Sequence, residues 1–251
     1  MRKLIYLFTI TFLLLQSCSP SDNNESSSNP SNIVLLKKVV NSDGESNLSY
    51  NGTKLTKITF TRGGYVNITY SGDLITKMEW FSSNNVSEQR NEYSYSSNKL
   101  TQVKLYSTNN KLEEMSAITY NSDGSITDLQ SRYNGGTLPT PNITYKKYFD
   151  SVGNLIKQEQ YSNNILAATT YYTYDAKNSP YKNITGWSNL LPSLGANSLP
   201  TNNLISEKNS TNGTPQITTK TINTYQYNNQ DFPISKTSTT YGQTSTETYY
   251  Y

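Results

Sequence analysis

The chain contains no histidine and one cysteine, Cys18. A Ser-His triad, a Cys-His pair, a Cys/His zinc site and an intrachain disulfide are therefore all closed to it. Carboxylates are left for acid–base work, so an Asp/Glu pair of the glycosidase kind must be weighed by position. Six of the eight Asp (Asp43, Asp73, Asp123, Asp150, Asp175 and Asp231) fall at or beside turns, where a short carboxylate bonds neighbouring backbone amides. Glu113-Glu114 reads as a solvated loop or edge. There is no Asp-x-Asp-x-Asp-Gly calcium loop, and Gly63-Gly64 and Gly135-Gly136 are too short to cradle phosphate, so they read as turn or bulge glycines. Neither enzyme, metal nor cofactor is expected. Aromatic recognition is the better idea, because Tyr and Trp offer flat apolar faces with polar tips that suit sugars, peptides or amphipathic small molecules. Trp80, on an expected strand, reads first as interior lining. Trp187 lies in a segment with Pro180, Pro192 and Pro200 and reads first as a cover over one end of the sheet. With Tyr181 from the same segment, these two Trp are the candidate ligand contacts, since irregular inserts on rigid sheets often carry function.

The elements that would hold them follow from composition and repetition. Ser (33), Thr (32), Asn (31) and Tyr (22) supply 118 of 251 residues, hydrophobics only 33% and charged residues 16%, which excludes a mainly helical fold. Aromatics at 12% and nearly cancelling charges argue for a folded chain over a disordered one. A degenerate repeat runs through the sequence as an aromatic, a polar turn, then an apolar residue. Its copies open at Tyr50, Tyr70, Tyr95, Tyr120, Phe149, Tyr174 and Tyr227, spaced by 20, 25, 25, 29, 25 and 53 residues. Each copy has room for one hairpin. Period-2 alternation in Val66, Ile68, Tyr70 and in the pairs Tyr93/Tyr95, Tyr172/Tyr174 and Tyr225/Tyr227 gives one aromatic and apolar face; Thr218 to Thr221 typifies the polar one. The pattern predicts an all-β antiparallel meander of about 12 to 14 strands, forming a curled sheet or barrel with a Tyr-rich interior over residues 34–251. An irregular insert at 176–206 accounts for the 53-residue gap.

Arg2 and Lys3 precede an apolar run from Leu4 to Leu15, too short for a stable membrane span and of the length of a secretory signal. Its end, Leu15-Gln16-Ser17-Cys18, resembles the lipobox of bacterial lipoproteins, which implies cleavage after residue 17 and acyl chains on Cys18. Two or more chains hold a protein at a membrane, where one binds marginally. Residues 18–33 then read as a flexible tether, Ser-, Asn- and Pro-rich. Its polar start, with Asp22 and Glu25, resembles the signal that carries Bacteroidota lipoproteins to the outer face of the outer membrane; the periplasmic face is the alternative. Removing the leader takes Arg2 and Lys3 from 21 basic residues, leaving 19 against 18 acidic. The mature chain is nearly neutral, and no nucleic-acid partner is inferred.

The tyrosine, turn and Leu/Ile pattern resembles YD-type (RHS-like) repeats, and more closely a domain family of unknown function with a porin-like fold found in Bacteroidota lipoproteins. The resemblance covers roughly Val34 to Tyr251. It includes Asn178-Ser179-Pro180-Tyr181-Lys182-Asn183, Gly186-Trp187-Ser188-Asn189-Leu190-Leu191 and Asn202-Asn203-Leu204-Ile205, which match an insert between late hairpins of such proteins. It implies fold more than activity. A pore is not implied, because a lipid-embedded barrel needs an outward band of Leu, Val and Phe that Thr237-Ser238-Thr239-Thr240 cannot supply. Three functions compete: a surface binding or adhesion module for a glycan, peptide or lipid; an envelope scaffold with a protein partner; and a carboxylate hydrolase. Asp150-Ser151-Val152 also resembles the O-glycosylation acceptor of exported Bacteroidota proteins, while a plain turn explains it equally well.

Overall fold

The computed structural model describes residues 33–133, 140–199, 201–211 and 218–251. The leader, Cys18, all of the tether before Ile33, Gly135-Gly136 and Pro200 lie outside the described residues. Among the described residues there are sixteen strands. They are β1 (Lys38–Asn41), β2 (Gly44–Asn51), β3 (Lys54–Phe60), β4 (Tyr65–Ser71), β5 (Leu74–Phe81), β6 (Ser87–Ser96), β7 (Lys99–Ser107) and β8 (Lys111–Tyr120) in the first half. The second half contributes β9 (Ile126–Arg132), β10 (Thr140–Phe149), β11 (Leu155–Ser162), β12 (Ile165–Tyr174), β13 (Leu204–Thr211), β14 (Thr218–Tyr227), β15 (Pro233–Thr240) and β16 (Gln243–Tyr250). Each strand pairs antiparallel with the next, and β1 pairs with β16, so the sheet closes into a barrel.

The repeat is the reason. The aromatic near the end of an even-numbered strand stands opposite the apolar residue that opens the next: Tyr50 faces Leu55, Tyr70 faces Ile75, Tyr95 faces Leu100, Tyr120 faces Ile126 and Phe149 faces Leu155. In β2, β4, β6 and β10 the register slips just before that aromatic, and such a bulge re-aims the side chain. Tyr50, Tyr70, Tyr95 and Phe149 accordingly pack against the core. Leu36, Leu55, Ile75, Leu100, Ile126, Leu155, Leu204 and Phe232, one beside the start of each odd-numbered strand, are buried. They line one end of the barrel, and burial of each such side chain is worth about 1.5–3 kcal/mol.

The strand number corrects the expected 12 to 14. Seven contiguous repeats supply fourteen strands, but an eighth is divided between the ends of the chain. Leu36 precedes β1, and Val39 pairs with Tyr249 and Lys38 with Tyr250. No contiguous motif could mark a repeat whose halves lie at opposite ends of the domain.

The insert is an enlarged turn between β12 and β13. Tyr174 still pairs with Leu204, so the irregular stretch is 175–203, and residues 204–206 belong to β13 instead. Sixteen strands enclose a lumen wider than lining side chains can fill. The insert closes one end of it as a plug: Ile184, Trp187 and Leu190 join the cluster of Leu55, Ile75 and Leu100. The Thr185 amide donates to the Thr53 carbonyl at 3.0 Å, Asn189 Nδ2 to the Asn98 carbonyl at 3.1 Å, and Asn183 Nδ2 to the Val34 carbonyl at 2.9 Å. Gly186 has φ +77°, and a Cβ there would overlap the Asp73 carbonyl oxygen. The outer wall differs sharply. Ser235/Thr248, Thr237/Thr246 and Thr239/Thr244 pair across β15 and β16 on the side opposite to Lys236 and Glu247, which line the lumen.

Candidate functional site

The turn carboxylates do the work their positions imply. Asp150 Oδ1 accepts the amides of Val152 at 3.0 Å and Asn154 at 2.8 Å; Asn228 Oδ1 does the same for Gln230 and Phe232. Asp175 Oδ1 accepts the Lys177 amide and, across the whole plug, the Asn203 amide, each at 3.0 Å. One turn device thus survives insertion of the plug. The Ser125 hydroxyl and then Lys146 hold Asp123 well below the usual carboxylate range. Asp43, Asp73 and Asp231 pair with Arg62, Lys54 and Lys177.

Inside the barrel, beneath the plug, lies a cavity of about 410 Å³. Trp80 of β5 and Trp187 of the plug both line it, together with Asn91 and Tyr93 of β6, Glu114 and Ser116 of β8, and Asp128 and Gln130 of β9. Alternation places them: Met78 and Trp80 share a face of β5, Asn91 and Tyr93 a face of β6, Asp128 and Gln130 a face of β9. The Trp187 indole N–H donates to the Ser198 carbonyl at 2.8 Å, which fixes the ring. The ring also stacks on Tyr181, with centroids 5.4 Å apart. Tyr181 lines a second, smaller cavity of about 220 Å³ with Tyr225, Lys236, Glu247 and Tyr249. All three aromatic candidates therefore gather near the plug, Trp80 and Trp187 lining one chamber and Tyr181 the other. Burial, and then the Glu247 carboxylate, pushes the Tyr181 phenol up to about 12.

Sequence reasoning passed over the polar wall. Asp128 is 2% exposed and takes Lys147 Nζ of β10 at 3.2 Å, while the same ammonium donates to the Pro192 carbonyl of the plug at 2.6 Å. Glu114 Oε2 meets Arg132 Nε at 3.2 Å. Asn91 Oδ1 and Asp128 Oδ1 are buried with no hydrogen-bond partner in the protein. One signal was available. Asp128 is the single Asp of the barrel away from a turn, and it stands in phase with the inward residues of its strand.

The strands form a closed antiparallel barrel, and the insert plugs it. The chain is similar to a porin-like protein from Bacteroides vulgatus ATCC 8482, with TM-score 0.59 and 14% identity over 87% of this chain and 99% of that one. Similarity to a porin-like protein from Bacteroides uniformis ATCC 8492 is weaker, at TM-score 0.37 and 12% identity over 82% and 77% of the two chains. A TcdB2-TccC3-TEV structure gives 0.34 and 14% over 87% of this chain and 12% of that one. No family model and no curated protein matches the chain. The first likeness establishes a porin-like fold, and fold alone does not carry activity.

Proposed function

We propose that the chain is a lipid-anchored protein of the cell envelope, with YD-type hairpin repeats, that binds a ligand within its plugged barrel. The cavity under the plug carries this reading, because two Trp converge there with buried polar groups from three strands. Small-molecule sites are concave chambers of this kind, mostly apolar with a few fixed polar atoms. The Ser/Thr ladder on the outer wall matches lipid poorly, which supports attachment through acyl chains on Cys18 over insertion of the barrel. The polar start of the tether, with Asp22 and Glu25, supports presentation on the outer face of the outer membrane, with the periplasmic face as alternative. Hydrolysis by a carboxylate pair is less well supported. Glu114 and Asp128, the carboxylates that line the cavity, stand four residues out of step on neighbouring strands, roughly 13 Å apart along the backbone, and each is already engaged by a cation, Arg132 and Lys147.

Labelled palmitate should enter the wild-type protein and not Cys18→Ala, and protease added to intact cells should remove an outward-facing domain. Binding is tested by screening soluble glycans, peptides and lipids for a rise in melting temperature that Trp187→Ala weakens. A screen without any shift, together with capture of one stoichiometric protein partner, would favour the scaffold instead. One stretch favours that second reading: β1 covers only Thr248 to Tyr250 of β16, leaving Gln243 to Glu247 without a β1 partner, and such an edge can accept another strand.

A further inference from the structure

We infer that an arc of exposed isoleucines at the plug end of the outer wall rests on the surface of the bilayer that holds the acyl chains; this rests on the anchoring reading above and gives the barrel an orientation. At the plug end, six strand pairs carry a bulge among the described residues, and in each the extra residue directly follows the buried residue at the start of the odd-numbered strand. In β3, β5 and β7 that residue is Thr56, Thr76 or Thr101. Each hydroxyl turns back to a carbonyl of the preceding strand, that of Ser49 at 3.0 Å, Thr69 at 3.3 Å and Ser94 at 3.1 Å. In β11, β13 and β15 it is Ile156, Ile205 or Ile234, which cannot make that bond and stands 42%, 38% or 40% exposed. Local chemistry favours threonine here, so an isoleucine suits something outside the barrel. The three strands follow one another round the wall with one even-numbered strand between, which sets the side chains about 10 Å apart.

Where the chain enters the barrel identifies the occupant. Past β15 come β16 and β1, and the Val34 carbonyl, ahead of β1, is bonded to Asn183 of the plug. Exposed Ile33 therefore leaves from the plug end, beside the arc. Cys18 stands fifteen residues earlier, a stretch that spans at most about 50 Å, so an acyl anchor there draws this end toward the membrane. Charge agrees with a neutral contact, because Asp73, Asp123 and Asp231 of the same rim face Lys54, Lys146 and Lys177. Spaced apolar side chains on a convex wall fit a fluid interface, into which such groups sink about 5–10 Å. The contact is shallow and confined to the rim, in keeping with the Ser/Thr ladder on the wall of β15 and β16.

The test uses the full acylated chain on phosphatidylcholine vesicles. Acylation consumes the Cys18 thiol, so one introduced cysteine carries an environment-sensitive fluorophore. It is placed at Ile205→Cys on the arc, at Thr76→Cys in the same bulge eight strands away across the barrel, or at Tyr241→Cys in the turn at the opposite end. The Ile205→Cys label should show blue-shifted emission and be quenched by nitroxide-bearing lipid, at low and high salt alike, while the other two emit as in water. Adding Ile156→Ser and Ile234→Ser should return its emission toward that in water and remove most of the quenching, with the protein still held by its acyl chains. A label at Ile205→Cys that emits as in water on vesicle-bound protein would overturn this inference and leave the anchoring reading standing. So would a blue-shifted label that the lipid quencher does not reach, which would give the arc to a protein neighbour or a second copy. Equal quenching at all three positions would place lipid all round the wall and overturn the rim contact. Protein that neither takes up palmitate nor floats with the vesicles would overturn both.

Discussion

The repeated tyrosine is a latch. Tyr50 donates its hydroxyl to the Leu36 carbonyl at 2.6 Å, Tyr95 to Ile75 at 2.7 Å, Tyr174 to Leu155 at 3.0 Å, Tyr225 to Leu204 at 2.9 Å and Tyr251 to Pro233 at 2.8 Å. In every case the acceptor belongs to the apolar start of the preceding odd-numbered strand. A phenol fits because it crosses the hydrophobic end of the barrel with its ring and still satisfies a backbone carbonyl with its tip. Other copies depart from this: Tyr70 donates to the Thr185 carbonyl of the plug and Tyr227 to the Asp175 carboxylate, and Phe149 has no hydroxyl to donate. Tyr95→Phe should therefore cost about 1–2 kcal/mol, read as a lower urea midpoint at constant slope, since the Ile75 carbonyl loses a buried partner. The Lys147–Asp128 pair has larger consequences. With both side chains 6% exposed or less, Lys147→Met leaves Asp128 charged and uncompensated, and should cost about 3–5 kcal/mol, while adding Asp128→Leu should recover most of that loss. Urea melts of the two variants decide it. The tyrosines were legible as turn markers, but their latching role was not, because donor and acceptor lie 14 to 21 residues apart in these five bonds, and degenerate spacing hides the coupling. Asp128 was legible only as the Asp that no turn explains.

At the level of elements, hairpins were the most readable feature, since alternation, turn residues and the aromatic-to-apolar step mark the same boundaries independently. The plug could be located by the 53-residue gap, though not its shape, because Trp187 and Leu190 take their places from long-range contacts with turns near residues 53, 73 and 98. Closure was the unreadable step. β1 meets β16 over three paired residues, where β6 meets β7 over eight. That seam should be the first part of the wall to open, so amides of β1 and the end of β16 should exchange with deuterium well before those of β6 and β7, with protection differing by orders of magnitude. Equal protection would mean that the barrel opens only as a whole. The seat of the plug is tested at Gly186. Gly186→Ala sets a side chain at φ +77° against the Asp73 carbonyl oxygen, and should cost about 1–3 kcal/mol while making Trp187 more accessible to acrylamide in a Trp80→Phe background.

For the whole molecule, buried tyrosine replaces the aliphatic core that a 33% hydrophobic chain cannot provide, and this substitution makes the fold sensitive to base. Burial pushes the Tyr70, Tyr172 and Tyr181 phenols from 10.0 up to about 12. It also raises Tyr50, Tyr95, Tyr174, Tyr225, Tyr249 and Tyr251. A raised phenol pKa means that the folded state keeps a proton the unfolded chain has already released. Below pH 10 both states are protonated and the contribution is complete; between pH 10 and 12 the unfolded chain binds fewer protons and stability falls. The slope is about 1.4 kcal/mol per pH unit for each fully retained proton, so Tyr172 and Tyr181 together remove roughly 3 kcal/mol per unit within that window, with a smaller part from the more exposed Tyr70, where solvent screens the effect. Two such units take away a large share of a net stability of about 5–15 kcal/mol, and the six further raised phenols add to the loss. Urea midpoints should therefore hold steady from pH 8 to 9.5 and then drop steeply, with the buried tyrosines ionising in one cooperative step at 295 nm that coincides with loss of the β-sheet circular dichroism signal. Smooth ionisation near pH 10 with the sheet intact would show that these phenols do not form the interior of the barrel.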